Sequence, residues 1–295
     1  KDMSRLTRLR VRHLVLAAAA LATAITTTAA SGAGTWSTLA PLPAPTEGLQ
    51  TAVVGNQIVA AYGFSGGDTQ LTRIYDIDSD SWSFGTPGPG PVRSEGAAAS
   101  HGGFFYAVGG RPAIDDLDRY EPATDTWTSL ADMPTGRGGL GVAVVGDAIY
   151  AIGGRTGGTP CSGGALATVE RYDIETDTWS TVASLPSIRS DLAAVAHGGK
   201  IYVFGGCVDS LTVLDEVDVY DPVTDTWSTE PADMPTARAA MYGAARKGNT
   251  VHVIGGWNGV QLATHEAYKV SADSWTTEAA MPSPAFEDWE KPIHE

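Results

Sequence analysis

A chain of 295 residues with 43% hydrophobic content and 35 glycines can bury a large core, and low charge with abundant turn formers points to all-β structure rather than disorder. Its formal net charge of −15 repels phosphate backbones, which argues against nucleic acid as a partner and against a basic membrane-binding face.

The first thirty residues stand apart. Arg5, Arg8, Arg10 and Arg12 precede the apolar run Leu14 to Ile25, and small residues continue through Ala30. This is the layout of a secretory signal peptide with cleavage near Ala30, and the run is shorter than the roughly twenty residues that cross a bilayer. We therefore expect residues 1–30 to be a leader, the mature protein to be secreted or periplasmic, and no membrane contact after cleavage. Without the leader, 14 Lys and Arg face 33 Asp and Glu, a net charge of −19.

The remainder is a repeat. Trp82, Trp127, Trp179, Trp227 and Trp275 recur at spacings of 45 to 52, and Tyr75, Tyr120, Tyr172, Tyr220 and Tyr268 each stand seven residues before one of them. A period of that size is a propeller blade's, too long for leucine-rich or ankyrin repeats. The pattern of Gly-Gly, then Tyr, then Trp resembles the kelch repeat over residues 36 to about 282, which implies a β-propeller of four-stranded blades.

The residues agree with that architecture. The first strand of each unit is rich in Ala and Gly (Gly96 to Ser100, Gly139 to Val145, Leu192 to Ala196, Ala239 to Ala245), as suits strands crowding a central axis. Gly55-Asn56, Gly102-Gly103, Gly146-Asp147, Gly198-Gly199 and Gly248-Asn249 tolerate the positive φ of primed hairpin turns. The second strands (Ile149 to Ile152, Ile201 to Phe204, Val251 to Ile254) are apolar on both faces and end at glycine pairs, with Tyr62-Gly63 in the first unit. The Tyr and Trp ladders read as packing between blades. Asp and Pro in stretches such as Asp221 to Asp225 read as turn formers, since no dedicated calcium loop clusters them.

Trp36 begins a stretch that matches an outer strand, while only twenty residues follow Trp275. The expectation is a propeller over residues 31–285 with five complete blades plus an orphan outer strand. A shortened six-bladed ring and a true five-bladed ring with a spare strand both fit. Residues 286–295 read as a polar tail.

Alternating strands put the hairpin and Asp-rich turns on one face, and the loops after Gly-Gly and between blades on the other. The second face varies: 11, 9, 17, 13 and 11 residues separate the glycine pair from the Tyr, and ligand-binding residues favour such loops. Asp76, Asp78, Asp80, Asp125, Asp173, Glu175, Asp177, Asp221 and Asp225 lie on the first face, whereas Arg93, Arg137, Arg189 and Arg238 open inner strands on the second. The fold should gather these four arginines at one mouth of the central channel, either as anion-binding forks or as holders of adjoining loop carbonyls. Arg111, Arg155 and Trp257 follow glycine pairs and extend the candidate site. Thr46, Ala285 and Phe286 leave the arginine ring incomplete.

Cys161 and Cys207, the two cysteines, fall in loops of one face on adjacent blades, and in an exported chain they should form a disulfide. The resemblance also implies enzyme alternatives, since some kelch-like propellers are galactose oxidases, which bind copper, and one is a bacterial sialic acid mutarotase. Copper asks for a His, Tyr and Cys cluster. His101 and His197 are at hairpin turns, His252 takes a strand position held elsewhere by Tyr, and His265 and His294 remain, so no metal and no cofactor is expected. The leading function is a monomeric binding module for a carbohydrate or protein ligand, acidic in character; a sugar mutarotase needing only an acid and a base is the alternative.

Overall fold

The computed structural model describes residues 34–161, 163–209, 212–239 and 244–282. Residues 1–30, expected to be a leader, and Ala285, Phe286, His294 and the rest of residues 286–295 lie outside the described residues. Five antiparallel four-stranded sheets follow one another, each with its strands in simple sequence order from the inside outward. Blade one comprises Gln50–Val54, Gln57–Ala61, Thr72–Asp76 and Ser81–Gly85. Blade two comprises Ala97–His101, Phe104–Gly110, Ile114–Glu121 and Thr126–Ser129. Blade three is built of Gly141–Val145, Ala148–Ile152, Val169–Asp173 and Thr178–Thr181, and blade four of Ala193–His197, Lys200–Phe204, Val217–Asp221 and Thr226–Ser228. Blade five has Ala244–Lys247, Thr250–Ile254, His265–Lys269 and Ser274–Thr277. A short 3₁₀ turn, Val270–Ala272, is the one helical element among the described residues, so no helix there is long and apolar enough to cross a membrane.

The seven-residue offset has a simple cause. Each ladder Tyr lies directly opposite its Trp across strands three and four, as in Tyr172 with Trp179 and Tyr220 with Trp227. The two rings pack at centroid distances of 4.9 to 5.2 Å in all five blades. Between them the turn carries an Asp at positive φ (Asp80, Asp125, Asp177, Asp225, Asp273), a conformation Asp tolerates better than most residues. This Asp accepts the Tyr hydroxyl at 2.5 to 2.7 Å. The same oxygen accepts a backbone N–H from the preceding unit: Ala40, Thr86, Ala131, Ala183 and Ala232 in turn.

The Trp side chain adds a second tie. Its Nε1–H donates to the carbonyl of that same residue of the preceding unit, at 2.7 to 3.0 Å. Trp36 obeys the rule, donating to Ala279 at 2.8 Å just beyond blade five, while Ala40 receives Trp82 of blade one. The ties thus run through six positions and return to their start. Residues 34–40 occupy the place of a sixth outer strand between blades five and one, and they pair in no sheet among the described residues.

The core lies between blades. One buried cluster fills each junction from blade one to blade five, for example Tyr150, Ile152 and Val169 of blade three against Leu192, Ile201, Val203 and Tyr220 of blade four. Strand two is buried on both sides, as its apolar sequence requires, and Ala and Gly in strand one let neighbouring inner strands approach. Gly141 shows the limit, since a Cβ there would come within 2.4 Å of Leu192 and 3.0 Å of the Ala194 side chain.

Candidate functional site

Arg93, Arg137, Arg189 and Arg238 do not form the open ring that their positions suggest. Each is fully buried. Each meets an acid two residues before the ladder Tyr of its own blade, on strand three: Arg93 with Asp118, Arg137 with Glu170, Arg189 with Asp218 and Arg238 with Glu266, all at 2.6 Å. Remaining N–H groups hold main-chain carbonyls, such as Thr135 in the interblade loop and Ala151 on strand two from Arg137, and Gly255 from Arg238. Thr135 and Thr236 donate to the second oxygens of Glu170 and Glu266, so the interblade loop, the strand and the arginine form one unit. Burial lowers the pKa of Arg137 and Arg238, against the pull of their acids. Their role is to fix the loops, as the second of the two sequence expectations allowed.

Blade one inverts the arrangement. Thr46 stands where the arginine would, and Arg73 stands where the acid would; Arg73 reaches Thr46 Oγ1 at 3.1 Å and the Tyr62 carbonyl at 3.3 Å. The guanidinium keeps its place near the end of strand two but enters from strand three. Its pKa is lowered by burial.

Two residues farther along each of blades one to four, a second set of positions repeats. Gly48, Glu95, Gly139 and Asp191 occupy equivalent places, all at φ between 55° and 60°. Their backbones join in sequence: Glu95 N–H to Gly48 O at 2.9 Å, Gly139 N–H to Glu95 O at 2.7 Å, Asp191 N–H to Gly139 O at 2.6 Å. Glycine suits this left-handed conformation, so Glu95 and Asp191 hold it at some cost. Both carboxylates grip Arg155, from blades two and four respectively, around the Gly139 of blade three that carries no side chain. A Cβ on Gly139 would fall 2.1 Å from the Arg155 guanidinium. Arg155 is therefore also internal, 2% exposed. Burial pushes the Glu95 carboxyl up, opposed by Arg155 and Arg111.

Arg111 is different. Its side chain is 30% exposed and lies 3.6 Å from both Asp68 and Glu95, too far for hydrogen bonds. It faces a cleft of about 200 Å³ at the channel mouth, lined by Asp68, Arg111, Pro112, Ala113, Gly138, Arg155, Gly157 and Gly158. The cleft thus draws on loops of blades one, two and three. Trp257 sits half-buried in blade five, bridged to Ala239 and Gln261, and does not line it.

Cys161 and Cys207 form the expected disulfide, with Cα atoms 5.5 Å apart. It ties the long loop after Gly154 to blade four, and Asp191 secures the same loop by accepting the Cys161 N–H at 3.0 Å. Cys161, Asp191 and Cys207 are the one His, Cys, Asp or Glu group among the described residues close enough to share an ion, yet a disulfide offers no thiolate to a metal. His252 and His265 pair with each other at 2.9 Å inside blade five, away from the cleft.

The family model of the KLHDC2/KLHL20/DRC7 Kelch-repeats domain matches residues 131–286. The chain belongs to the kelch-repeat family. Kelch-like protein terF of Aspergillus terreus is 27% identical over 85% of this chain and 61% of its own length. Kelch-like protein 25 of Xenopus tropicalis is 26% identical over 82% and 42%. The chain thus spans roughly half the length of these curated kelch relatives. The solved structure of YjhT has a TM-score of 0.70 at 16% identity, covering 83% of this chain and 87% of that one, a likeness of fold. Kelch propellers typically serve as protein-binding modules.

Sequence reasoning missed Glu95, Asp191 and Asp68. The signal for the first two is present: two residues after the repeated arginine, Glu95 and Asp191 stand where blade three has Gly139. The acids that neutralise the arginines recur as regularly as the arginines, two residues before each ladder Tyr of blades two to five.

Proposed function

We propose that this chain is an exported kelch binding module that holds a protein partner on its loop face, centred on the cleft at Arg111. Arg111 carries this reading: of the six loop-face arginines expected to bind a ligand, it alone is substantially exposed and keeps its N–H donors out of hydrogen bonds to its acids. A partner carboxylate or main-chain carbonyl would accept from that fork, and the disulfide-held loop walls the cleft. The acidic ligand expected from four open arginines loses most of its support, because Asp118, Glu170, Asp218 and Glu266 already neutralise them.

A peptide and glycan array probed with the leaderless protein tests this. Peptide binding that weakens about tenfold or more in Arg111→Ala, with Tm unchanged, is the expected result, since a hydrogen bond to a charged group contributes about 1.5–3 kcal/mol. Arg137→Ala should instead lower Tm markedly. Glycan binding without peptide binding, or peptide binding indifferent to Arg111→Ala, would refute it.

A further inference from the structure

In blades three and four, strand two offers a Tyr (Tyr150, Tyr202) and strand three a Val (Val169, Val217) to the next blade, and each Tyr packs on that blade's ladder Tyr. The equivalent residues of blade five are His252 and His265, which face the sixth position. His252 Nδ1 and His265 Nε2 lie 2.9 Å apart, a distance that requires one nitrogen to donate and the other to accept. Trp36 packs edge-on against His265 with centroids 5.9 Å apart. The Ala279 carbonyl, which receives the Trp36 indole, also hydrogen-bonds His265. This hydrogen-bonded imidazole pair therefore forms part of the surface on which residues 34–40 are seated.

We infer that this histidine pair makes the seat of residues 34–40 acid-sensitive, so that the sixth outer segment is held at neutral pH and released as the pair takes up protons. One added proton leaves a single N–H···N bond intact, but a second leaves two donors facing each other at 2.9 Å. The charged groups around the pair do not cancel this. Glu278, just after the outer strand, favours protonation, whereas Lys247 on strand one opposes it for His252 and Arg238 in the interblade loop opposes it for His265; Trp36 brings no charge. Burial lowers the pKa of both, more than any of these groups.

With folded values depressed, the opened state binds more protons, so the seat is intact above the ordinary histidine value of about 6.5 and weakens as pH falls below it. Each histidine favours opening by at most about tenfold per pH unit. Hydrogen exchange of a peptide covering residues 34–41, corrected for intrinsic pH dependence, should lose protection at least tenfold between pH 7.5 and pH 5.0, while 148–152 in blade three does not. His252→Tyr with His265→Val installs the residues of blades three and four and should abolish the difference. Equal protection at both pH values, or the same loss in the double variant, overturns the proposal. Should that variant not fold, the unmodified protein still decides: two imidazole NMR signals titrating below 6.5 are expected, and none doing so refutes it.

Discussion

At the scale of single residues, the molecule is held by two repeated polar devices, and each predicts a different response. The Tyr–Asp tie is the outer one. Burial, then the hydrogen bond to Asp80, pushes the Tyr75 hydroxyl up to about 12, and the other ladder tyrosines shift the same way. Their acceptors move down: Asp125, Asp225 and Asp273 chiefly through the Tyr hydroxyl, Asp80 chiefly through the Ala40 N–H. A depressed acid supports the fold above its unfolded value and loses that support as pH falls; a raised phenol supports it below 10 and loses it as pH rises. Thermal unfolding should therefore show these ties failing below about pH 4 and above about pH 10, apart from the histidine effect below about pH 6.5. Tyr220→Phe removes one hydroxyl from a buried ring and should cost about 1–1.5 kcal/mol, lowering Tm by a few degrees. No change in Tm would show that Asp225 is held by Ala183 alone. The inner device is the arginine–acid pair. Arg137→Ala leaves Glu170 buried without its partner, and breaking such a pair costs about 3–5 kcal/mol, far more than truncating the partly exposed Arg111.

At the scale of elements, strand and turn were legible because each position has one physical demand. Small residues mark the crowded inner strand, glycine and asparagine mark the hairpins, and Tyr opposite Trp fixes the outer pair. The candidate site was less legible because the identity of a side chain does not reveal its partner. Arg137 and Arg111 look alike in a sequence; one meets Glu170 inside the blade and the other stands partly exposed beside Asp68 and Glu95. The acid in strand three was the clue, and it requires reading two strands together. The cysteines were legible because each loop's place on a blade was. Their bridge closes a separation of 46 residues and should contribute about 2–4 kcal/mol. Cys161→Ser with Cys207→Ser should lower Tm accordingly and speed hydrogen exchange in residues 155–161, the wall of the cleft. Unaltered exchange there would mean that Asp191 holds the loop unaided.

At the scale of the whole molecule, the six tryptophan ties and the interblade cores are unequal in number, and the difference sets where the ring is weak. Blades two, three and four have a buried apolar cluster on both sides among the described residues, whereas blades one and five have one on a single side. Among the described residues the junction at the sixth position is spanned by Trp36, Ala40 and the histidine pair, with no such cluster. Burial of apolar surface contributes about 25 cal/mol per Å², so a junction lacking a cluster gives up several kcal/mol that a few polar ties do not replace. Opening should therefore begin there and spread inward, with local free energies rising from the ends of the ring to its middle. Native-state hydrogen exchange at neutral pH measures this directly. Second-strand amides of blade three, 148–152, should exchange through the highest-energy opening, and those of blade one, 57–61, and blade five, 250–254, through lower ones. Equal protection in all five second strands would mean that the sixth position is packed as firmly as the others, and the ring would then unfold as one cooperative unit.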